Sequence, residues 1–331
     1  MIKRIYTRDG LLTFDQRTID SSGVFLIGEL ERLDQRLHEP LASVTWGRDI
    51  DLREDVSIAD EYSAFTNSSF ASAPGVPGSN KAWVGKDSSA IQGVSLDIGK
   101  TTSPLTLWAM QLGWTLPELE SAMKLGRPVD QQKFTGMQLK LQMDIDEQVY
   151  IGDTSLGLTG LINHASMSNV TNATVGTWSS ATSDQILADI NELLKSVWAA
   201  SGFAVCPDRL LIPPTQFALL SGKVVSTAGN ISLLTYLAGN TLSNAVNGRP
   251  LEILPLKWLT GTTAGGVGPG ADGKDRMIAY TKAPERVRFP MVPLQRTPME
   301  YRDLRQLVTY FGRLGAVELV YPETIGARDG I

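Results

Sequence analysis

The stretch from Trp114 to His164 constrains the fold of this chain more than any other. It opens Trp114-Thr115-Leu116-Pro117-Glu118, a helix start: Thr115 is placed to cap, Pro117 fits the first turn and Glu118 completes a capping box. Gly126-Arg127-Pro128 ends that short helix, because the residue before a proline is driven out of the helical region. From Val129 to about residue 151 there is no further proline, and only Gly136 interrupts good helix formers. Phe134, Met137, Leu141, Ile145 and Val149 recur at spacings of three and four, which predicts one apolar stripe along a helix over 129–151. Such a helix is on the order of 35 Å long. It runs into Gly152, Gly157 and Gly160, where the chain must turn tightly or pass close to another backbone.

Composition leaves room for a sizeable core around this strut. The 331 residues are 42% hydrophobic and 20% charged, as in an ordinary soluble protein, and that length predicts two domains. No window approaches the roughly 18 uninterrupted apolar residues of a membrane span, and the first residues lack the apolar core of a signal peptide. Cys206 is the single cysteine, so intrachain disulfides are excluded and a reducing assembly compartment is expected. With only His38 and His164 beside it, neither a multi-ligand metal site nor a cofactor is expected. Thirty basic residues face 35 acidic ones, a net charge of −5. A protein that grips nucleic acid tightly usually carries a basic excess.

Residues 1–40 end in an amphipathic pattern, with Val24, Ile27, Leu30, Leu33 and Leu37 on one face before Pro40. Residues 56–95 are rich in Ser, Ala, Gly, Pro and Asn and cannot build a core, which predicts a projecting two-stranded loop. Strands return over 94–98 and 105–110. Beyond the glycine turn, Thr182 or Ser183 caps a second helix with Ile186, Ile190, Leu193, Leu194 and Val197 on its buried face, ended by Gly202. A strand at 210–212 stopped by Pro213-Pro214, helical pieces near 216–221 and 231–238, and a strand at 251–256 complete an α/β-like region. A glycine-rich loop fills 260–274. Strands are expected at 277–280, 287–289, 307–311 and 316–321, with Pro284, Pro290, Pro293 and Pro298 preventing any long central one. Arg286, Arg288, Arg296, Arg302, Arg305 and Arg313 lie among Glu285, Glu300 and Asp303, either as a self-neutralising surface or as ion pairs between subunits.

Enzyme readings fail one by one. The phosphate-loop-like Gly93 to Thr101 has five residues between its glycines where four are needed. His38 ends a polar helix face, and His164 sits in a turn where a hydrogen-bonding role outweighs that of a base. Asp144 and Asp146 lie on different faces of their helix and do not make an acid/base couple.

An ordered set of motifs spans nearly the whole chain: Glu29-Leu30-Glu31-Arg32-Leu33-Asp34-Gln35-Arg36, Leu96-Asp97-Ile98 through Leu119, the strut, Tyr150-Ile151-Gly152-Asp153 through Gly160-Leu161-Ile162-Asn163, and Gly315-Ala316-Val317-Glu318-Leu319-Val320-Tyr321-Pro322. In this order the chain resembles the major capsid proteins of tailed bacteriophages, within a subgroup catalogued as a domain of unknown function. The resemblance implies an α+β, Hong Kong 97-like capsid fold. Residues 1–40 would be the N-terminal arm, 41–55 part of the peripheral domain, and 56–95 the extended loop lying over a neighbouring subunit. Residues 96–154 would hold the peripheral domain with its spine helix at 129–151, 155–275 the axial domain, and 276–331 the C-terminal strands of the peripheral domain. It implies hexamers and pentamers closing into an icosahedral shell around double-stranded DNA. Partners would be the chain itself, a separate scaffolding protein, a portal protein and a decoration or cement protein, with weak nonspecific DNA contact and no membrane. Hinges are expected at Gly126, Gly136, Gly152, Gly157 and Gly160. Intersubunit contacts are expected at Arg286, Arg288, Arg296, Arg302, Arg305, Glu300 and Asp303. Lys81 and Lys86 lie in the loop, but no partner residues can be assigned for the covalent crosslink of the founding member. A nanocompartment shell of the encapsulin type and a soluble α/β enzyme are the alternatives.

Overall fold

A computed structural model describes residues 42–72, 82, 84, 86, 93–125, 129–225, 231–262 and 273–331. The expected N-terminal helix, Gly126, Lys81 and most of the glycine-rich loop at 260–274 lie outside the described residues. The strut is helix α3, Val129–Tyr150, about 33 Å long at ~1.5 Å per residue. It follows a short α1 (Trp46–Asp49), strands β1 (Asp51–Arg53), β2 (Tyr62–Ser72), β3 (Val94–Pro104) and β4 (Thr106–Thr115), and α2 (Leu116–Leu125). Thr115 and Glu118 make the reciprocal cap the sequence predicts: the Glu118 N–H reaches Thr115 Oγ1 at 3.3 Å and the Thr115 N–H reaches Glu118 Oε2 at 3.5 Å. Lys133 then pairs with Glu118 at 2.7 Å and donates to the Gly113 carbonyl at 2.9 Å, tying the start of α3 to the end of β4.

Two sheets pack on α3. The larger uses β1, β4, β9 (Val287–Arg296), β10 (Glu300–Arg302), β11 (Arg305–Leu314) and β12 (Glu318–Leu319), with the order β1-β9-β11-β10, β4 on β11 and β12 on β9. Its apolar residues Leu112, Trp114 and Val308 close over Met137, with Phe134 5.5 Å from Tyr310. The second sheet has the order β5-β13-β8-β6-β7, from β5 (Val170–Asn172), β6 (Arg209–Ile212), β7 (Glu252–Pro255), β8 (Arg276–Tyr280) and β13 (Ile325–Asp329). Helices α4 (Ser183–Ala200), α5 (Pro214–Gly222), α6 (Leu233–Asn240) and α7 (Leu242–Asn247) accompany it. Thr182 caps α4 in a full capping box with Gln185, and Ile186, Ile190, Leu193, Leu194 and Val197 are all fully buried. A single apolar cluster joins both sheets: Leu141, Ile145, Val149 and Tyr150 of α3 meet Leu211, Ile278 and Ile325 on one side and Phe289, Leu314 and Leu319 on the other.

Two expectations are corrected. Prolines do not shorten β9, which runs for ten residues in mid-sheet. The reason is local: Val292 opposes Arg313 and Gln295 opposes Phe311, so Pro293 and Leu294 together face Gly312 in a bulge, where a missing N–H costs no ladder bond. The stretch 276–331 also does not serve one sheet. β8 and β13 lie inside the second sheet, held by the ladder from Ile325 opposite Tyr280 to Asp329 opposite Arg276, where their buried side chains pack against α3 on one face and against α4 on the other.

Candidate assembly surfaces

The projecting loop is a hairpin of eleven paired positions, from Tyr62 opposite Pro104 to Ser72 opposite Val94. Strand alternation sorts its side chains between two faces, and directly opposed residues share a face. Val94, Leu96 and Ile98 stand on one face with Phe70, and they are 68%, 55%, 61% and 74% exposed. An isolated two-stranded hairpin is marginal in water, and an apolar stripe of this kind marks a surface that expects a cover. The lookalike of a phosphate loop, Gly93 to Thr101, lies almost wholly in extended strand β3.

At its base the hairpin is held by a buried carboxylate. Glu318 accepts from Arg53 Nη1 at 3.1 Å, from Arg288 Nε at 2.7 Å and from the Ser63 hydroxyl. Arg53 also donates to the Ala64 carbonyl at 3.0 Å and pairs with Asp55, which the guanidinium holds below the usual carboxylate range. Sequence reasoning missed Glu318. The available signal was one acid in the otherwise apolar run Gly315 to Val320, since a charge there must be paired if it is buried.

The seven candidate contact residues fall into two groups. Arg286 and Arg288 lie at the start of β9, and Arg288 is committed to Glu318. Arg296, Glu300, Arg302, Asp303 and Arg305 gather at the opposite end of the sheet, around the β10–β11 hairpin. Arg302 stands directly opposite Arg305, Asp303 takes a left-handed φ of 54°, and the neighbouring Tyr301 and Leu304 are exposed. Among the described residues neither arginine has an ion-pair partner, so two like charges stand opposed on an exposed edge.

The glycines differ in what they do. At Gly152 (φ 80°) an added Cβ would meet the Leu158 carbonyl oxygen at 2.4 Å, and at Gly160 it would meet the Tyr150 carbonyl at 2.2 Å. Here the chain crosses itself, with the Gly160 N–H on the Ile151 carbonyl and the Leu161 N–H on that of Val149. Gly136 and Gly157 have open space where a side chain would go.

Other polar clusters are internal. Asp146 accepts the backbone N–H groups of Thr45 and Trp46 and the Trp258 indole at 2.7 Å, while Asp144 faces another way, toward Trp108 and Lys140. Asp49 takes Arg48 and the Tyr150 hydroxyl, and burial beside this carboxylate raises the Tyr150 pKa. Cys206 is buried, which pushes its thiol up to about 11. Among the described residues no three His, Cys, Asp or Glu side chains are grouped to hold a metal, and no helix is long and apolar enough to cross a membrane.

A family model described as major capsid protein matches residues 80–331. The capsid of Myoviridae phage XM1 is similar in structure, with a TM-score of 0.73 and 17% identity over 92% of this chain and 98% of that chain. The capsid of an empty GTA particle gives a TM-score of 0.58 and 10% identity, covering 96% and 99%. A chain from Mycobacterium phage Adephagia gives 0.57 and 12%, covering 92% and 96%. At these identities the likeness is one of fold. Comparison with curated protein sequences finds no match.

Proposed function

The chain belongs to the major capsid protein family, and from that premise we propose that its copies assemble as hexamers and pentamers into a closed icosahedral shell around the double-stranded DNA of a tailed bacteriophage. The family is a structural one and points to a non-enzymatic role. The observation that carries the reading is the hairpin β2–β3: an ordered ladder with its apolar stripe exposed, built to lie on another copy. In this assignment residues 1–40 form the N-terminal arm, the hairpin from Tyr62 to Pro104 the extended loop, reaching past the expected end at 95, and α3 the spine of the peripheral domain. The unit around β5 to β8 and β13 serves as the axial domain. The group at Arg296, Arg302 and Arg305 meets acidic residues of a neighbour. Fine adjustment between hexamer and pentamer falls at Gly136 and Gly157, since Gly152 and Gly160 are fixed by their close contacts. A scaffolding protein, a portal and a decoration or cement protein complete the particle, which forms in the host bacterial cytoplasm and persists as the virion shell.

Negative-stain microscopy of the purified protein tests this, with closed shells or capsomer rings expected. A uniform monomer or dimer over a wide concentration range would refute it. Deleting residues 66–90 should leave a soluble, folded subunit that closes no shells, because the segment is too rich in Ser, Ala, Gly, Pro and Asn to build a core and its described residues 66–70 are exposed.

A further inference from the structure

We infer that Glu318 is a positioning residue that fixes the angle at which the hairpin β2–β3 leaves the body of the subunit. The residue is 2% exposed, and its carboxylate gathers three elements: Arg53 from β1, Arg288 from β9 and Ser63 from the base of the hairpin ladder. Arg53 extends the hold one residue further, through the Ala64 carbonyl. The returning strand is tied down at the same level, with the Leu105 N–H on the Glu61 carbonyl at 2.9 Å and Arg313 Nη1 on the Leu105 carbonyl at 3.2 Å.

Beyond that level the hairpin stands away from the body on both sides. A cavity of about 280 Å³ separates Phe65, Asn67 and Thr101 from Leu158, His164 and Val317. An open groove of about 740 Å³ lies between Thr66 or Lys100 and the turn at Pro284 and Glu285. A long lever fixed at one end, with free space on two flanks, keeps one direction only if its fixed end is rigid. A buried carboxylate shared by two guanidinium groups and a hydroxyl supplies that rigidity, since each polar group has a fixed direction and moving one leaves a buried charge under-paired. Among the described residues of the hairpin, Ser63 is the one whose side chain enters the network, so it transmits the position of Glu318 to the lever. The value of a fixed angle for shell closure rests on the proposed role of the hairpin as a contact with a neighbouring copy.

The test measures the angle and the shells separately. Spin labels on Ser69→Cys and Asp184→Cys place one probe on the hairpin and one on α4, and the buried Cys206 stays unlabelled. Double electron–electron resonance on full-length, unassembled subunits should give a narrow distance distribution. Glu318→Gln should broaden it at least twofold, Ser63→Ala should broaden it as well, and Ser63→Thr should restore it. If Glu318→Gln fails to fold, Ser63→Ala decides, since it leaves both arginines on Glu318. An unbroadened distribution in folded Ser63→Ala overturns the inference, whatever its particles look like. Broadened distances together with normal closed shells would uphold Glu318 as the positioning residue and show that shell closure does not depend on the fixed angle.

Discussion

His164 shows how a single residue reports on its surroundings. It sits half-buried near the hairpin base, and its Nδ1 accepts the Ser166 N–H at 3.2 Å. Burial lowers its pKa, against a smaller opposing effect of a hydrogen bond with the Val317 backbone. The folded state therefore favours neutral imidazole, while the unfolded chain binds a proton at the ordinary value of about 6.5. The sign follows: His164 contributes stability above that value and loses the contribution as pH falls through its lowered folded value. Denaturation midpoints from about pH 7.5 to 5 should fall more for the natural chain than for His164→Gln. Equal slopes would show that burial does not govern this imidazole. Single side chains are also where the sequence is hardest to read. The capping pairs Thr115–Glu118 and Thr182–Gln185 are legible because both partners lie three residues apart on one turn. Glu318, Asp49 and Asp146 are not, since Arg53, Tyr150 and Trp258 reach them across 101 to 265 residues of chain.

At the scale of elements, the strut and its glycine turn behave as one unit. Met137, Leu141, Ile145 and Val149 are buried as their spacing requires, and the turn brings Leu161 and Ile162 back beside Val149 and Tyr150. Substitutions should separate the glycines by sign. Gly160→Ala pushes a methyl against the Tyr150 backbone, which cannot rotate away, and should cost more than about 2 kcal/mol. Gly157→Ala meets no atom but must hold φ 68°, at a cost of about 1–2 kcal/mol. Gly136→Ala, in an exposed helix interior with open space, should stabilise the subunit by about 0.5–1 kcal/mol. Chemical denaturation of the three variants checks the order, and shell yield from Gly136→Ala tests whether that position also bends during assembly. The strand β9 went the other way. Its prolines read as breakers, yet Pro293 falls in a bulge whose existence depends on where β11 pairs.

At the scale of the whole molecule, charge bears on the proposed contact with packaged DNA. With 30 basic against 35 acidic residues, contact with DNA should be weak, independent of sequence and lost as salt rises. Nanomolar retardation of DNA at physiological salt would contradict this. The sequence by itself determined the periodic and local features: the spine helix, the capped α4 and the core-less hairpin. Those depend on neighbours within a few residues, and the physics of a helical turn or a strand's alternation is written in spacing alone. Tertiary structure decided the rest. It took β8 and β13 from the C-terminal stretch into the second sheet, where they are covered on both faces. It split the arginines, committing Arg288 to Glu318 and leaving Arg302 and Arg305 opposed at the far edge. It also set a carboxylate from residue 318 beneath a hairpin that begins at residue 62. Burial and pairing between distant segments leave no period in the sequence, and their energies exist only once the chain has closed on itself.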